Sequence, residues 1–159
     1  MQEGFGINTV NTMIPDFVPY VGAALGLGLL LGLEREWHHH EAGVKTHSLV
    51  AVGAAIFAWL SFAFHDNGRV AAQVVTGIGF IGAGAIMRDQ AHVKGLTTAA
   101  TLWCAAAIGM LCGYGRLVEA SIAAAAVILT NVVLLPLEIW FEKRKQASLK
   151  SLIQSNPLP

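Results

Sequence analysis

The feature that most constrains this chain is the stretch from Val70 to Met87 (VAAQVVTGIGFIGAGAIM), which runs for 18 residues without a charge. It is one of five such apolar blocks in 159 residues. A bilayer core about 30 Å thick requires roughly 17–25 apolar residues for each helical crossing. Composition agrees, because 13% of the residues are charged, against roughly 25% in ordinary soluble domains. The sequence therefore predicts one compact membrane domain in contact with the lipid bilayer.

The five apolar blocks are separated by short segments that hold most of the charge. They run approximately over Phe17–Leu33, His47–Phe64, Val70–Met87, Thr98–Cys112 and Leu117–Phe141. Hydrocarbon cannot hydrogen-bond an exposed backbone, and the blocks alternate too little for barrel strands, so we expect helices. The predicted fold class is an all-α membrane protein with about five transmembrane helices. Its expected divisions are an external N-terminal segment (1–16), the transmembrane domain (17–141) and a basic cytoplasmic tail (142–159).

Positive charge is distributed unevenly between the two sides of the expected bundle. Two loops and the tail hold eight of the ten Lys and Arg residues, namely Arg35, Lys45, Arg88, Lys94, Lys143, Arg144, Lys145 and Lys150. The positive-inside bias then predicts a cytoplasmic C-terminus and an external N-terminus. The first ten residues lack the basic region of a cleaved signal peptide, so we expect the first block to persist as a helix. The formal net charge is zero, which indicates no nucleic-acid partner.

Glycines are concentrated in the first and third blocks. They are Gly22, Gly26, Gly28 and Gly32, then Gly77, Gly79, Gly82 and Gly84. Small residues let helices approach closely in lipid, so these positions are predicted to pack helices and to favour a homo-oligomer; a kinked or pore-lining backbone is the alternative.

The spacing of Gly77, Gly79 and Gly82 matches G-x-G-x-x-G, but no strand or acidic residue accompanies it as a dinucleotide site requires. A shift of 52 positions aligns Gly32 with Gly84 and Thr46 with Thr98, which suggests a two-fold repeat of helices 1–2 and 3–4.

Polar residues inside the blocks are few and uncharged at mid-block. The absence of Asp, Glu, Lys or Arg there argues against an ion-coupled pump. Gln73, Thr76, Thr101 and Asn131 are expected to form hydrogen bonds between helices, with a solute path as the alternative. Charges cluster instead at the block ends, in Glu34-Arg35-Glu36 and Arg88-Asp89, where ion pairs would hold the first and third helices together.

Histidines and threonines flank the second and fourth blocks. His38, His39, His40 and Glu41, together with His47 and His92, allow a metal-binding interpretation. Three consecutive histidines cannot point one way on a helix, and no ligand pair has a defined spacing, so we interpret them as a solvated loop. We expect no metal site and no cofactor. Thr46 and either Thr97 or Thr98 are the expected N-caps of the second and fourth helices.

Four motifs follow one another between about Leu25 and Gly113. They are LGLERE from Leu31, AGVKTHSLV from Ala42, RVAAQ from Arg69 with GIGFIGAG from Gly77, and KGLTTAATLW from Lys94. In this order they closely resemble the MgtC/SapB family of bacterial inner-membrane proteins. The resemblance implies an integral protein of the bacterial plasma (inner) membrane.

The resemblance also implies function. The best-known members are linked to magnesium limitation, stress adaptation and virulence inside host phagocytes, and some regulate the F-type ATP synthase. The functional or interaction candidates that it carries over are Glu34, Arg35, Glu36, Lys45, Thr46, Arg69, Gln73, Arg88, Thr97, Thr98 and Trp103, none of them catalytic. Virulence-type members carry a soluble C-terminal domain and tend to have Asn at the position of Thr97. We therefore expect a short member that lacks this domain.

Two function classes follow from these observations. The first is a non-enzymatic regulatory membrane protein that contacts itself or a membrane complex, such as ATP synthase, through its helices. The alternative is a transporter or channel for magnesium or another small ion, which predicts a flux that depends on Glu34, Glu36 or Gln73. An enzyme is not expected, because no nucleophile and base stand at a recognisable spacing.

Overall fold

The computed structural model describes residues 7–38, 40–89 and 92–155, and most of them are helical. The helices are α1 (Ile7–Trp37), α2 (Val44–Ala63), α3 (Arg69–Ala85), α4 (Leu96–Gly113) and α5 (Leu117–Ser155). Each of them contains most of one predicted apolar block. The all-α membrane fold predicted from the sequence is confirmed.

Four helices are long and apolar enough to cross a membrane. They are α1 from Phe17 onward, α2, α4, and α5 as far as Leu137. α3 has 17 residues, which corresponds to about 25 Å at 1.5 Å per residue. It therefore lies at the lower end of the length that can span a bilayer.

α1 and α2 pack as an antiparallel pair through two glycines of α1. A Cβ atom placed on Gly28 would lie 2.9 Å from the Cα atom of Ser48. One turn later, a Cβ atom on Gly32 would overlap the backbone of Val44. The two helix backbones are therefore in direct contact, which only glycine allows.

α2 and α4 run parallel to each other through the centre of the bundle. Cβ atoms added to Gly109 and Gly113 of α4 would overlap the carbonyl oxygens of Ala51 and Ala55 of α2, respectively. Because these two helices point the same way, α3 carries the chain back between them. The α1–α2 and α3–α4 pairs therefore share one orientation, as a repeat along the chain requires.

The core between α1, α2, α4 and α5 consists largely of alanine. Its buried cluster comprises Ala24, Leu31, Ala55, Ala105, Ile108, Cys112, Ala120 and Ala124. Small side chains at these positions let the helices pack closely in lipid, where no hydrophobic force draws helices together. Apart from a few buried residues such as Leu31 and Ile108, many bulky apolar side chains face outward, as Phe80 does with 85% of its surface exposed.

A short hairpin between α3 and α4 was not predicted from the sequence. Strand β1 (Met87–Asp89) pairs antiparallel with strand β2 (His92–Lys94). Three residues per strand give too short a pattern for an alternating signal, so this segment was expected to be a simple loop.

The prediction that Thr46 and either Thr97 or Thr98 are N-caps is wrong. The N-cap residues of α2 and α4 are Gly43 and Gly95. Gly95 has a φ of +85°, and a Cβ atom there would overlap a carbonyl oxygen at the end of α3. Because the tight approach from the hairpin requires glycine at position 95, α4 starts earlier than predicted, and Thr97 and Thr98 fall inside its first turn.

α5 continues far beyond its apolar part. Its 39 residues correspond to about 58 Å, against a bilayer core of about 30 Å. Pro136 lies inside the helix, where it removes a backbone hydrogen bond and favours a kink. The expected boundary at residue 142 is therefore a change of composition within one helix.

Candidate functional site

A polar cluster lies where α1 ends and where α2 and α4 begin. We define it by five side chains: Glu34, Arg35, His47, Thr101 and Asn131. They come from four helices, α1, α2, α4 and α5, and all five are buried or half-buried. Buried polar groups are normally hydrogen-bonded, and the bonds within this cluster link the helices to one another.

His47 connects α2 to α4 from a fully buried position, with 0% of its surface exposed. Its Nδ1 lies 3.0 Å from the carbonyl oxygen of Gly43, and its Nε2 lies 3.3 Å from Oγ1 of Thr101. The Thr101 hydroxyl also lies 2.9 Å from the carbonyl oxygen of Thr98. Because a carbonyl oxygen can only accept, Nδ1 of the neutral imidazole carries the proton and Nε2 is an acceptor. The single hydroxyl proton of Thr101 therefore faces two acceptors, Nε2 of His47 and the carbonyl oxygen of Thr98.

Glu34 connects α1 to α5. The amide nitrogen Nδ2 of Asn131 donates a 2.9 Å hydrogen bond to Oε2 of Glu34. On the other side of the carboxylate, Nδ1 of His38 lies 3.4 Å from Oε1 of Glu34. Asn131 is therefore positioned by the charged end of α1 rather than by a partner at mid-membrane.

Arg35 places a buried positive charge near the two links, His47–Thr101 and Glu34–Asn131. Only 2% of its surface is exposed, and both Arg35 and Glu34 act electrostatically on the His47 imidazole. Burying a charge is costly unless polar or oppositely charged groups surround it. The cluster therefore combines charges of both signs with hydrogen-bonded polar side chains.

Glu36 supplies the acceptor at the start of α2. Its Oε2 accepts a 2.9 Å hydrogen bond from the backbone N–H of Val44. The first N–H groups of a helix lack partners within the helix, and the positive end of the helix dipole favours a carboxylate there. The Glu36 side chain also occupies the space where a Cβ atom on Gly43 would lie, so these two residues form one contact.

The other predicted site residues are spread over the molecule. Arg69 and Gln73 lie on α3, near the opposite end of the bundle from the polar cluster. Lys45, Thr97 and Trp103 are exposed on α2 and α4, Thr46 is partly buried, and Thr98 is buried. Arg88 lies in β1, and its side chain falls outside the described part, so its predicted pairing with Glu34-Arg35-Glu36 stays a prediction.

The predicted packing glycines divide into two groups. Gly28 and Gly32 meet the backbone of α2, and a Cβ atom on Gly82 would make ordinary contact, 3.6 Å from Cβ of Ala99. At the other five, a Cβ atom would meet nothing within 4 Å; these are Gly22, Gly26, Gly77, Gly79 and Gly84. Most glycines of α3 therefore leave open surface on the protomer.

The four polar residues considered for a solute path fall into two separate places. Thr101 and Asn131 belong to the polar cluster, whereas Gln73 and Thr76 are exposed on α3. Within residues 7–38, 40–89 and 92–155, no group of three His, Cys, Asp or Glu side chains is arranged to hold a metal ion. His39 and the side chain of His92 lie outside that description.

Two links of the cluster could not be found by reading the sequence. His47 and Thr101 are 54 positions apart, and Glu34 and Asn131 are 97 apart. The only available signal was the presence of a polar residue inside an apolar block, which does not name its partner. Neither His47 nor Asn131 was among the functional candidates.

The chain is similar to several known proteins. The model of the MgtC family matches residues 21–140. Protein MgtC of Salmonella typhimurium is 50% identical over 114 residues, which cover 70% of this chain and 49% of that protein. Protein MgtC of Brucella abortus is 48% identical over 120 residues, with coverages of 74% and 50%. An uncharacterized protein of Synechocystis is 44% identical over 128 residues, with coverages of 79% and 55%.

The family match covers the polar cluster and every predicted site residue. No solved structure matches this chain. The chain spans about half the length of the curated relatives it matches. Because the family model covers far more than half of a chain built from apolar helices, the protein is a membrane protein that belongs to the MgtC family.

Proposed function

We propose that this protein is a non-enzymatic regulator of the bacterial plasma membrane that acts through helix–helix contacts with a second copy of itself or with a membrane complex. The observation that carries this proposal is a small-residue face on α3 that is exposed in the described part of the protomer. The family resemblance supports a connection with magnesium limitation or another stress. It also supplies ATP synthase as one partner complex to test.

The outer face of α3 consists of Ala72, Thr76, Gly79 and Ala83. At about 100° per residue these four positions fall within roughly 60° of one another, and all are exposed. The buried residues of the same helix, such as Ile78, lie on another side. Small residues at such spacing let two helices approach closely, and a threonine hydroxyl can add a hydrogen bond between them. The outer face therefore suits a neighbouring transmembrane helix.

The proposed orientation puts the polar cluster on the cytoplasmic side. The end of α1, the start of α2, the hairpin and the start of α4 all lie at that end, and α5 extends past it. These segments carry Arg35, Lys45, Lys94, Lys143 and Arg144. The concentration of positive charge supports a cytoplasmic location by the positive-inside rule.

The decisive experiment fills the outer face without disturbing the fold. In Gly79→Leu the new side chain starts from a position with nothing within 4 Å, so the protomer is expected to stay intact while self-association falls. Gly84→Leu is the matched control, because Gly84 is equally open but lies about 140° away around α3. Single-molecule photobleaching or energy transfer in vesicles measures the association.

The outcome separates the two kinds of partner. If Gly79→Leu reduces self-association and Gly84→Leu does not, the outer face is a contact between copies. If the wild type is monomeric, affinity capture from membranes is repeated with both variants, and a complex lost only in Gly79→Leu supports a heterologous partner. A wild type with neither self-association nor a captured complex contradicts the proposal.

Ion transport remains the alternative and has its own test. The carboxylates of Glu34 and Glu36 are engaged by Asn131 and by the start of α2, which favours a structural use of both over ion binding. Magnesium flux into proteoliposomes that is lost in Glu34→Gln or Gln73→Ala would establish transport and overturn the regulatory proposal.

A further inference from the structure

A groove runs along the protein surface between α2 and α3. Its volume is about 450 Å³, and its walls are apolar, from Leu49 to Phe57 on α2 and from Val70 to Ile81 on α3. The eleven-residue separation on α3 corresponds to about 16 Å. The groove is therefore about as long as one leaflet of the bilayer is thick, given a hydrocarbon core of about 30 Å.

A polar mouth adjoins the groove at the end where α2 passes into α3. This second cavity, of about 370 Å³, is lined by Asp66, Arg69, Val70 and Gln73. Val70 and Gln73 also line the apolar groove. The two cavities therefore form one continuous surface that is polar at one end and apolar along the rest.

The mouth holds one carboxylate and one guanidinium, and of the two charges only the guanidinium is left open to a ligand. The carboxylate of Asp66 is used by the fold, because it accepts hydrogen bonds from the Ser61 hydroxyl and from the backbone N–H groups of Gly68 and Val70. Arg69 is exposed, and within the described residues its guanidinium takes part in no ion pair. The mouth therefore offers one cation and the amide of Gln73 to a ligand.

The lining changes from polar to apolar along the groove, in the same order as a phospholipid changes from headgroup to acyl chain. Arg69, Gln73, Gly77 and Ile81 follow at intervals of four residues, each about 6 Å deeper than the last. An arginine suits a phosphate, and an amide donor suits an ester carbonyl. A glycine and an isoleucine leave room and apolar contact for a chain. We propose that the groove binds one phospholipid with an anionic headgroup, with the phosphate at Arg69 and an acyl chain over Gly77.

Two glycines give the acyl chain its space. Gly53 on α2 and Gly77 on α3 both line the groove, and a Cβ atom on either would meet nothing within 4 Å. Neither glycine is therefore needed for contact between the helices. Their absence of side chains keeps the groove open, and a larger residue would fill it from within.

The short length of the groove favours a lipid over a helix of a second copy as its occupant. Two packed transmembrane helices remain in contact over most of the core, which is about 30 Å thick, whereas the groove follows α3 for about half of that distance. An arginine at the mouth also matches an anionic headgroup better than it matches another apolar helix. This inference does not depend on the proposed regulatory role, because the outer face of α3 lies on a different side.

The test measures lipid retained by the purified full-length protein. Native mass spectrometry is run after addition of phosphatidylglycerol or of phosphatidylcholine with the same acyl chains. We expect one tightly held phosphatidylglycerol per protein copy and weaker retention of phosphatidylcholine. Gly53→Leu and Gly77→Leu should abolish the tight binding, while Gly26→Leu, which is equally open on α1, should keep it.

Arg69→Gln tests the mouth separately from the groove. It should lower retention of phosphatidylglycerol by about fivefold, as expected for one surface arginine near an anionic headgroup, and lower retention of phosphatidylcholine less, because choline offsets the charge of its phosphate. Arg116→Gln is the control, because that arginine is held 2.5 Å from Glu119. Equal retention of both lipids by all variants would overturn the proposal. Loss of self-association in Gly53→Leu and Gly77→Leu, without loss of lipid, would assign the groove to a second copy instead.

Discussion

At Gly109 on α4 a Cβ atom would overlap a carbonyl oxygen of α2, whereas at Gly79 on α3 it would meet nothing within 4 Å. The close contacts lie in the α1–α2–α4 unit, where Gly28, Gly32, Gly109 and Gly113 let backbones touch, although Gly22, Gly26 and Gly53 of the same helices are open. On α3 no glycine meets another backbone this closely, and most leave surface open to lipid or to a partner. Glycine in a membrane helix therefore serves two opposite purposes, and only the neighbouring helix decides which.

The contrast predicts an uneven distribution of stability. The α1–α2–α4 unit has direct backbone contacts, an alanine-rich core and a buried polar link between His47 and Thr101. On α3, only Ala71, Ile78 and Gly82 are buried. Segments with few buried contacts open at lower free energy than the rest of a protein. α3 is therefore expected to be the element that moves when a partner or a lipid binds.

The largest effect is expected for Gly109→Ala. One methyl group would force the backbones of α4 and α2 apart, and overpacking of this kind costs typically 1–3 kcal/mol. This exceeds the roughly 1 kcal/mol that alanine gains over glycine in a helix. Because the added methyl group meets backbone atoms of α2 rather than a flexible side chain, the upper end of the overpacking range applies, and the free energy of unfolding in mixed micelles should fall by about 2 kcal/mol after that gain is subtracted.

Gly79→Ala is the matched comparison for this prediction. It adds the same methyl group to an open position, so only the helix-propensity gain applies, and stability should stay equal or rise by up to about 1 kcal/mol. Equal destabilisation by both substitutions would show that the two classes of glycine do not differ in the folded protein.

The polar link between α2 and α4 gives the next largest effect. Thr101→Val removes the hydroxyl beside Nε2 of His47 while keeping the shape, and it leaves a buried nitrogen without its partner. Loss of such a bond costs about 1–2 kcal/mol, somewhat less in membrane proteins than in soluble ones. Thermal unfolding in detergent measures the loss.

Thr130→Val is the control for the Thr101 substitution. The Thr130 hydroxyl donates a 2.8 Å hydrogen bond to the carbonyl oxygen of Ala126 in its own helix, and the residue is exposed. This change should alter stability by a few tenths of a kcal/mol. If both valine variants unfold alike, the link between His47 and Thr101 does not contribute to the bundle.

The sequence predicted the helices well and their contacts poorly, for physical reasons that particular residues illustrate. Block length and apolarity alone determine where a chain crosses lipid, so the five helices could be found. Whether Gly32 or Gly79 touches another backbone depends on the arrangement of helices, which one-dimensional spacing does not contain. The same is true of the bond between Glu34 and Asn131, and of Glu36, whose role at the start of α2 depends on how α1 ends.

The bond from Glu36 to the start of α2 is expected to contribute less. Glu36→Ala removes the acceptor for the Val44 N–H, and loss of a helix cap costs about 0.5–2 kcal/mol. Glu41→Ala removes an exposed carboxylate from the same segment and should cost little. Unfolding of the two variants side by side provides the measurement, and equal stability would exclude a capping role for Glu36.

The smallest effect concerns how α3 is attached to α2 at the other end. The hydroxyl of Ser61 and then the N–H groups of Val70 and Gly68 hold the pKa of the Asp66 carboxyl below its usual range. The stabilisation from this carboxylate is therefore complete above the unfolded pKa, about 3.9, and is lost as the pH falls through the lower folded value. Acidification should then loosen α3 before it loosens the α1–α2–α4 unit.

Hydrogen exchange at the start of α3 tests this difference directly. Between about pH 4 and pH 2, from the unfolded value downward, the amides of Gly68 and Val70 should lose protection after correction for the intrinsic exchange rate. The amides of α2 that face Gly28 should keep theirs over the same range. Asp66→Asn should exchange faster at the start of α3 at pH 5 and show no further loss on acidification. Protection that falls equally in α2 and α3 would mean that the two regions open together, and the contrast between tight and open glycine faces would then have no consequence for motion.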